Sequence, residues 1–210
     1  MGINLTDAPV TLTLCFANVS ISLWALYSNP IYFERFAEWP YQIVHQHRYY
    51  QMVTSAFLHA NFMHLFFNMF ALFTFGVTLE GFFNEVYGGL EGSLYFFLIY
   101  MISLLTGSVL TILLKRNDPT YVAVGASGAV SGIVFSYIIF DPTSQIYVLF
   151  VPMPAYLFAV LWIGFSLYGM KTRLGNIGHE AHLGGAVGGV IATFILIKGA
   201  FDLFLSYFTG

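Results

Sequence analysis

Apolar residues run through this chain in long stretches, and the polar residues between them are few and clustered. Residues 8–28 form the first stretch and end before Asn29-Pro30. Others cover 57–79, closed by Glu80; 94–114, stopped by Lys115-Arg116-Asn117-Asp118-Pro119; 125–140, closed by Asp141-Pro142; 153–170; and 178–207. A hydrocarbon core about 30 Å thick takes about 20 helical residues to cross, so the pattern predicts a bundle of six membrane helices. The stretch 125–140 is the odd one. Its roughly 16 residues reach only ~24 Å at 1.5 Å per residue, so this helix starts inside the bilayer or does not fully cross.

The connections differ in character. Residues 29–56 hold two prolines, Glu34, Arg35, Glu38, His45, His47 and Arg48 among tyrosine, phenylalanine and tryptophan. Aromatic residues mixed with charges belong at the membrane–water boundary, which predicts a long, partly helical loop lying in the interface. Residues 81–93, rich in glycine and carrying Asn84, Glu85 and Glu91, are expected to form a loop. Residues 120–124 return to apolar sequence without a helix start signal.

Composition agrees with this pattern. The chain has 210 residues, 58% of them hydrophobic and only 8% charged, against about 25% charged in soluble domains. The fold class is therefore an all-α polytopic membrane protein, read as one domain over 1–210. The start, Met1-Gly2-Ile3-Asn4-Leu5-Thr6-Asp7, has no basic residues, and no removable signal peptide is expected. A single cysteine, Cys15, excludes an internal disulfide. A net charge of −3 offers no basic patch, so no nucleic-acid partner is expected.

Ionisable groups inside membrane helices are candidates for function because they are costly there. The second stretch contains His59, His64 and Asn68, with His64 and Asn68 one turn apart; the last contains His179, Glu180 and His182. His179 and Glu180 are expected at the interface, in contact with water. Six histidines invite a zinc reading, but a helical zinc motif needs histidines at i and i+4, and His179 and His182 stand at i and i+3. No metal and no cofactor are expected.

Small residues indicate which faces meet. The fourth stretch reads Gly125-Ala126-Ser127-Gly128-Ala129-Val130-Ser131-Gly132, and the sixth reads Ala181-His182-Leu183-Gly184-Gly185-Ala186-Val187-Gly188-Gly189. Gly128/Gly132 and Gly185/Gly189 form ridges of the kind that let two helix backbones approach closely in a bilayer. Packing these ridges would bring Ser127, a nucleophile, to His182, a general base.

These residues resemble the rhomboid family of intramembrane serine proteases. The matches are Gly125-Ala126-Ser127-Gly128 for the nucleophile, Ala181-His182 with Gly185 and Gly189 for the base helix, and, on the second span, His59, His64 and Asn68, with Glu80 ending the span. The resemblance implies a six-helix core with a Ser127–His182 catalytic dyad and no third acid. It implies an oxyanion hole formed by His64, Asn68 and the Ser127 amide, with His59, Glu80, Gly125, Gly128, Gly185 and Gly189 in support. It also implies substrates that are transmembrane segments of other proteins, entering laterally from the lipid past the first loop and the 171–178 segment. A multi-pass protein of a bacterial inner or cell membrane is expected. Position 131, a tyrosine against the base in many members, is serine here. Two other functions fit parts of the pattern: a non-catalytic rhomboid-like factor that binds or dislocates membrane proteins, and a proton-coupled transporter using the intramembrane histidines.

Overall fold

The computed structural model of the chain describes residues 5–148, 151–172 and 177–209. The chain opens with helix α1 (Pro9–Tyr27), whose Pro9 occupies a first-turn position where the missing N–H is no loss. Three short helices follow in the first loop: α2 (Ile31–Phe36), α3 (Pro40–Gln46) and α4 (Gln51–Thr54). Two long helices, α5 (Phe62–Tyr87) and α6 (Gly89–Lys115), come next, then the short α7 (Ser127–Phe140). A hairpin of β1 (Gln145–Val148) and β2 (Val151–Pro154), antiparallel with Val148 opposite Val151, leads into α8 (Ala155–Thr172). The described chain closes with α9 (His179–Leu196) and α10 (Ala200–Thr209).

The fold is predominantly helical and of a membrane type. Helices α1, α5 and α6 are long and apolar enough to cross a bilayer. Helices α9 and α10 pass that test only as a pair, bent by 106°. The expected span 178–207 is thus two helices, broken at 197–199, where Gly199 takes the left-handed φ of +80° that few other residues tolerate.

Glu80 also plays a different part from the one expected. Helix α5 does not end there but continues to Tyr87, and α6 begins at Gly89, so most of the expected 81–93 loop is helical. The reason lies in its carboxylate, which accepts from the amides of Val10 (2.9 Å) and Thr11 (2.7 Å) and from Ser93 Oγ (2.6 Å). The first amides of a helix lack intrahelical partners and carry its positive end. A buried carboxylate there caps α1 and ties it to α5 and α6.

The first loop is fastened by Gln51, which is fully buried. Its Nε2 donates to Arg35 O (3.2 Å) and Gln42 Oε1 (3.3 Å), and its Oε1 accepts from the Trp39 amide (3.3 Å). Thr54 Oγ1 adds a bond to Phe36 O.

Glycine governs the packing around α9. A Cβ added to Gly185 would stand 3.0 Å from Gly128 Cα and closer still to its carbonyl; one on Gly189 would stand 2.5 Å from Gly132 Cα. The neighbouring pair faces α6, where a Cβ on Gly184 would come within 2.7 Å of Thr106 O and one on Gly188 would strike the Thr106 side chain. Helix α9 therefore carries two glycine ridges side by side, one against α7 and one against α6. With lipid as apolar as any side chain, van der Waals contact at this range is a main force joining such helices.

Candidate active site

Ser127 opens α7 and is half-buried. The turn before it is held from three sides. Gly125 donates its amide to Ser55 O (2.9 Å), and the Ala126 amide points at His59 Nε2 (3.5 Å). His64 packs on Gly125, where an added Cβ would lie 2.7 Å from its Cε1 and 2.8 Å from its Nε2. With φ at +127°, Gly125 is required both by conformation and by space. The hydrogen bonds assign the His59 tautomer: Ser22 Oγ donates to Phe57 O (2.8 Å), so His59 Nδ1–H donates to Ser22 Oγ (2.7 Å), and Nε2 is left to accept.

His64 and Asn68 lie on successive turns of α5. His64 is half-buried, its ring 5.0 Å from that of His59 in an edge-on arrangement. Asn68 is buried and donates Nδ2 to His64 O (3.0 Å), which leaves its second amide proton unassigned.

His182 lies in the first turn of α9, 7% exposed. The Gly128–Gly185 contact, with Ala181 O facing Gly128, brings the segment around Ser127 to the segment around His182. Among the described residues no hydrogen bond joins the two side chains. Trp162 of α8 stacks on His182, ring centroids 5.3 Å apart and planes at 25°. His179 stands edge-on to His182 at 6.3 Å.

His179 and Glu180 differ from expectation: both are buried, at 2% and 4% exposure. His179 packs on Gly169 of α8 and against Phe165. Glu180 pairs with Lys115 Nζ at 2.8 Å, and Lys115 also stands 5.2 Å from the Tyr121 ring centroid. Burial makes the pairing necessary, since an unpaired carboxylate there is costly.

Behind the Gly125 turn is a cavity of about 20 Å³, bordered by Glu38, Ser55, Ser108, Ala126 and Gly128 among others, room for about one water. Glu38 exchanges backbone hydrogen bonds with Ala123 (both 2.9 Å), and its carboxyl accepts from Ser108 Oγ (2.6 Å). Burial pushes this carboxyl up to about 7, and the Ser108 bond pulls the other way. A carboxyl raised in the folded state adds stability that is full below about 4.5 and lost as pH rises through 7. Glu38 is therefore expected to contribute on the order of 3 kcal/mol less stability at pH 7 than at pH 4.5. In thermal unfolding in detergent, the stability of wild type relative to Glu38→Gln should fall by that amount across this range; equal pH dependence of the two proteins would contradict the assignment.

A family model described as "Rhomboid domain" matches residues 46–199. The chain belongs to the rhomboid family. The matched region runs from the end of α3 to the glycine at the α9–α10 break, so it contains His59, His64, Asn68, Glu80, Ser127, His182 and the glycines of the α7–α9 contact, while Ser22 and Glu38 lie outside it. Among similar proteins, "RHOMBOID-like protein 12, mitochondrial" of Arabidopsis thaliana is 28% identical over 94% of this chain and 61% of its own length. "Rhomboid protein 1, mitochondrial" of Saccharomyces cerevisiae is 33% identical over 70% of this chain and 42% of its own. "RHOMBOID-like protein 2" of Arabidopsis thaliana is 32% identical over 76% of this chain and 46% of its own. This rhomboid chain thus spans between two-fifths and three-fifths of these relatives. Two of these three relatives are named as mitochondrial, so the family is not confined to bacterial membranes.

Sequence reasoning missed Trp162, Gln51, Ser22, Ser108 and the Lys115–Glu180 pair. The basic residue Lys115 and acidic Glu180 each stand at the end of an apolar stretch, a placement that signals a boundary rather than a partner.

Proposed function

We propose that this rhomboid protein is an intramembrane serine endopeptidase that cleaves transmembrane segments of other membrane proteins. The observation that carries the reading is the glycine-to-glycine packing of α7 on α9, which sets the start of one helix, with Ser127, beside the first turn of the other, with His182.

In this reading His182 takes the Ser127 hydroxyl proton as Oγ bonds to the scissile carbonyl carbon. The oxyanion that forms is held by the Ser127 amide, by His64 and by Asn68, donors of the kind that stabilise charge as it develops. On collapse the C–N bond breaks, and His182 passes its proton to the leaving amine. A water, deprotonated by His182, then attacks the acyl ester and regenerates Ser127. His59 and Gly125 hold the turn that orients the Ser127 amide, Glu80 fixes α1 to the bundle, and Gly128, Gly185 and Gly189 set the spacing.

Helices α1, α5, α6, α7, α8 and α9 make up the six spans of this proposal, with α7 too short to cross in full. A substrate helix enters laterally from the lipid and unwinds. A groove of about 340 Å³ between Phe33 and Trp39 of the first loop and Val122–Val124, the segment that leads toward α7, suits an extended segment. No cofactor takes part, and the membrane need not be bacterial.

The test is cleavage of a reporter transmembrane segment with small residues at its centre, in proteoliposomes. Wild type cuts and Ser127→Ala does not. Cutting that survives Ser127→Ala would reject this nucleophile, whereas wild type that binds the reporter without cutting it would favour a rhomboid protein that binds or dislocates its partners without hydrolysing them.

A further inference from the structure

A general base needs its ring plane fixed, and the second ring nitrogen is commonly held by a carboxylate or carbonyl for that purpose. In this chain His182 Nδ1 is buried with no hydrogen-bond partner among the described residues. The torsion that turns an imidazole is broad, so something else must hold the ring. The contact available is the face of Trp162, stacked at 5.3 Å and 25°, within the 4.5–7 Å range of favourable aromatic pairs. Trp162 Nε1 has no hydrogen-bond partner among the described residues either, so ring-to-ring contact fixes both. Trp162 is in turn held in an aromatic row on one face of α8, stacked on Phe158 at 5.7 Å and 22° and near Phe165 at 6.4 Å. Phe165 continues the row onto His179 at 5.1 Å.

We propose that Trp162 is a positioning residue for His182: the α8 aromatic row, through this one stacked face, sets the plane of the base. The inference rests on the dyad reading above and goes beyond it, because it makes the competence of His182 depend on α8 being docked. Three buried residues, Ala155, Ser166 and Gly169, lie in α8, and the aromatic row and the Gly169–His179 contact join the helix to the turn of α9 that carries the base.

The test is the labelling rate of detergent-solubilised protein by a small water-soluble fluorophosphonate, which needs an activated serine but no lateral passage of a helix. Trp162→Phe keeps a ring and should stay within about threefold of wild type. Trp162→Leu and Trp162→Ala should label about 3–10-fold more slowly, the worth of one aromatic pair. The loss should fall on the maximal rate, not on the half-saturating concentration. Leu161→Ala, on the exposed face of α8, should match wild type.

Labelling of the leucine variant as fast as wild type or faster would overturn the proposal, making Trp162 a wall against lipid only. A phenylalanine variant as slow as leucine would overturn it as well. If Trp162→Ala fails to fold, the leucine and phenylalanine pair decides. Wild type unlabelled at Ser127 would sink the dyad reading and this inference together; wild type labelled, with leucine unchanged, sinks this inference alone.

Discussion

Gly185→Ala will silence the protein. Its new Cβ falls 3.0 Å from Gly128 Cα and nearer to the Gly128 carbonyl. Both obstacles are backbone, which has no rotamer into which to retreat, so α7 and α9 must separate. Inserting a methyl group into a packed contact costs about 1–3 kcal/mol. The functional loss should be larger, because a displacement of about 1 Å between reacting groups can cost ~10²-fold in rate. Gly164→Ala in α8 is the control: a Cβ there meets nothing within 4 Å, and stability should be unchanged or raised by up to about 1 kcal/mol. Thermal unfolding and reporter cleavage, measured on both variants, check the pair. Full activity in Gly185→Ala would mean that the α7–α9 spacing is not what aligns the site.

His182→Ala should lower cleavage by about 10²–10⁴-fold, the usual worth of a positioned general base. The side chain fills a buried site against Trp162, so its loss leaves a space bounded by an aromatic face. Added imidazole is expected to restore part of the rate by occupying that space, and it should not help Ser127→Ala. A His182→Ala protein that cleaves at the wild-type rate would remove this histidine from the reaction. The two variants probe different links: Gly185→Ala moves both partners apart without changing either, whereas His182→Ala deletes one in place.

How much of this was legible in the sequence depended on whether a feature was local. The ridges Gly128/Gly132 and Gly185/Gly189 were readable because small-residue spacing on one helix face needs no knowledge of the partner. The second ridge, Gly184/Gly188 against Thr106, was in the same string, but nothing local says that α9 has two neighbours. Glu80 was misread as a membrane boundary because a lone acid in apolar sequence usually is one. What keeps it inside is the start of α1, 69 residues away, whose free amides satisfy it. The break at 197–199 is compatible with Lys198 and Gly199, yet those residues also suit a helix nearing the lipid surface. Replacement of a tyrosine by Ser131 hid Trp162, since the ring that faces His182 arrives from α8 rather than α7. Gln51 was passed over for a similar reason: its partners Arg35, Trp39 and Gln42 meet it only once the first loop is folded.

If the α7–α9 contact makes Ser127 a nucleophile served by His182, a fluorophosphonate adduct mapped by peptide mass spectrometry must sit on that serine. One adduct is expected on Ser127 in wild type, none in Ser127→Ala, and none at matched exposure in His182→Ala. An adduct on another serine, or undiminished labelling of the Ser127→Ala protein, would contradict it.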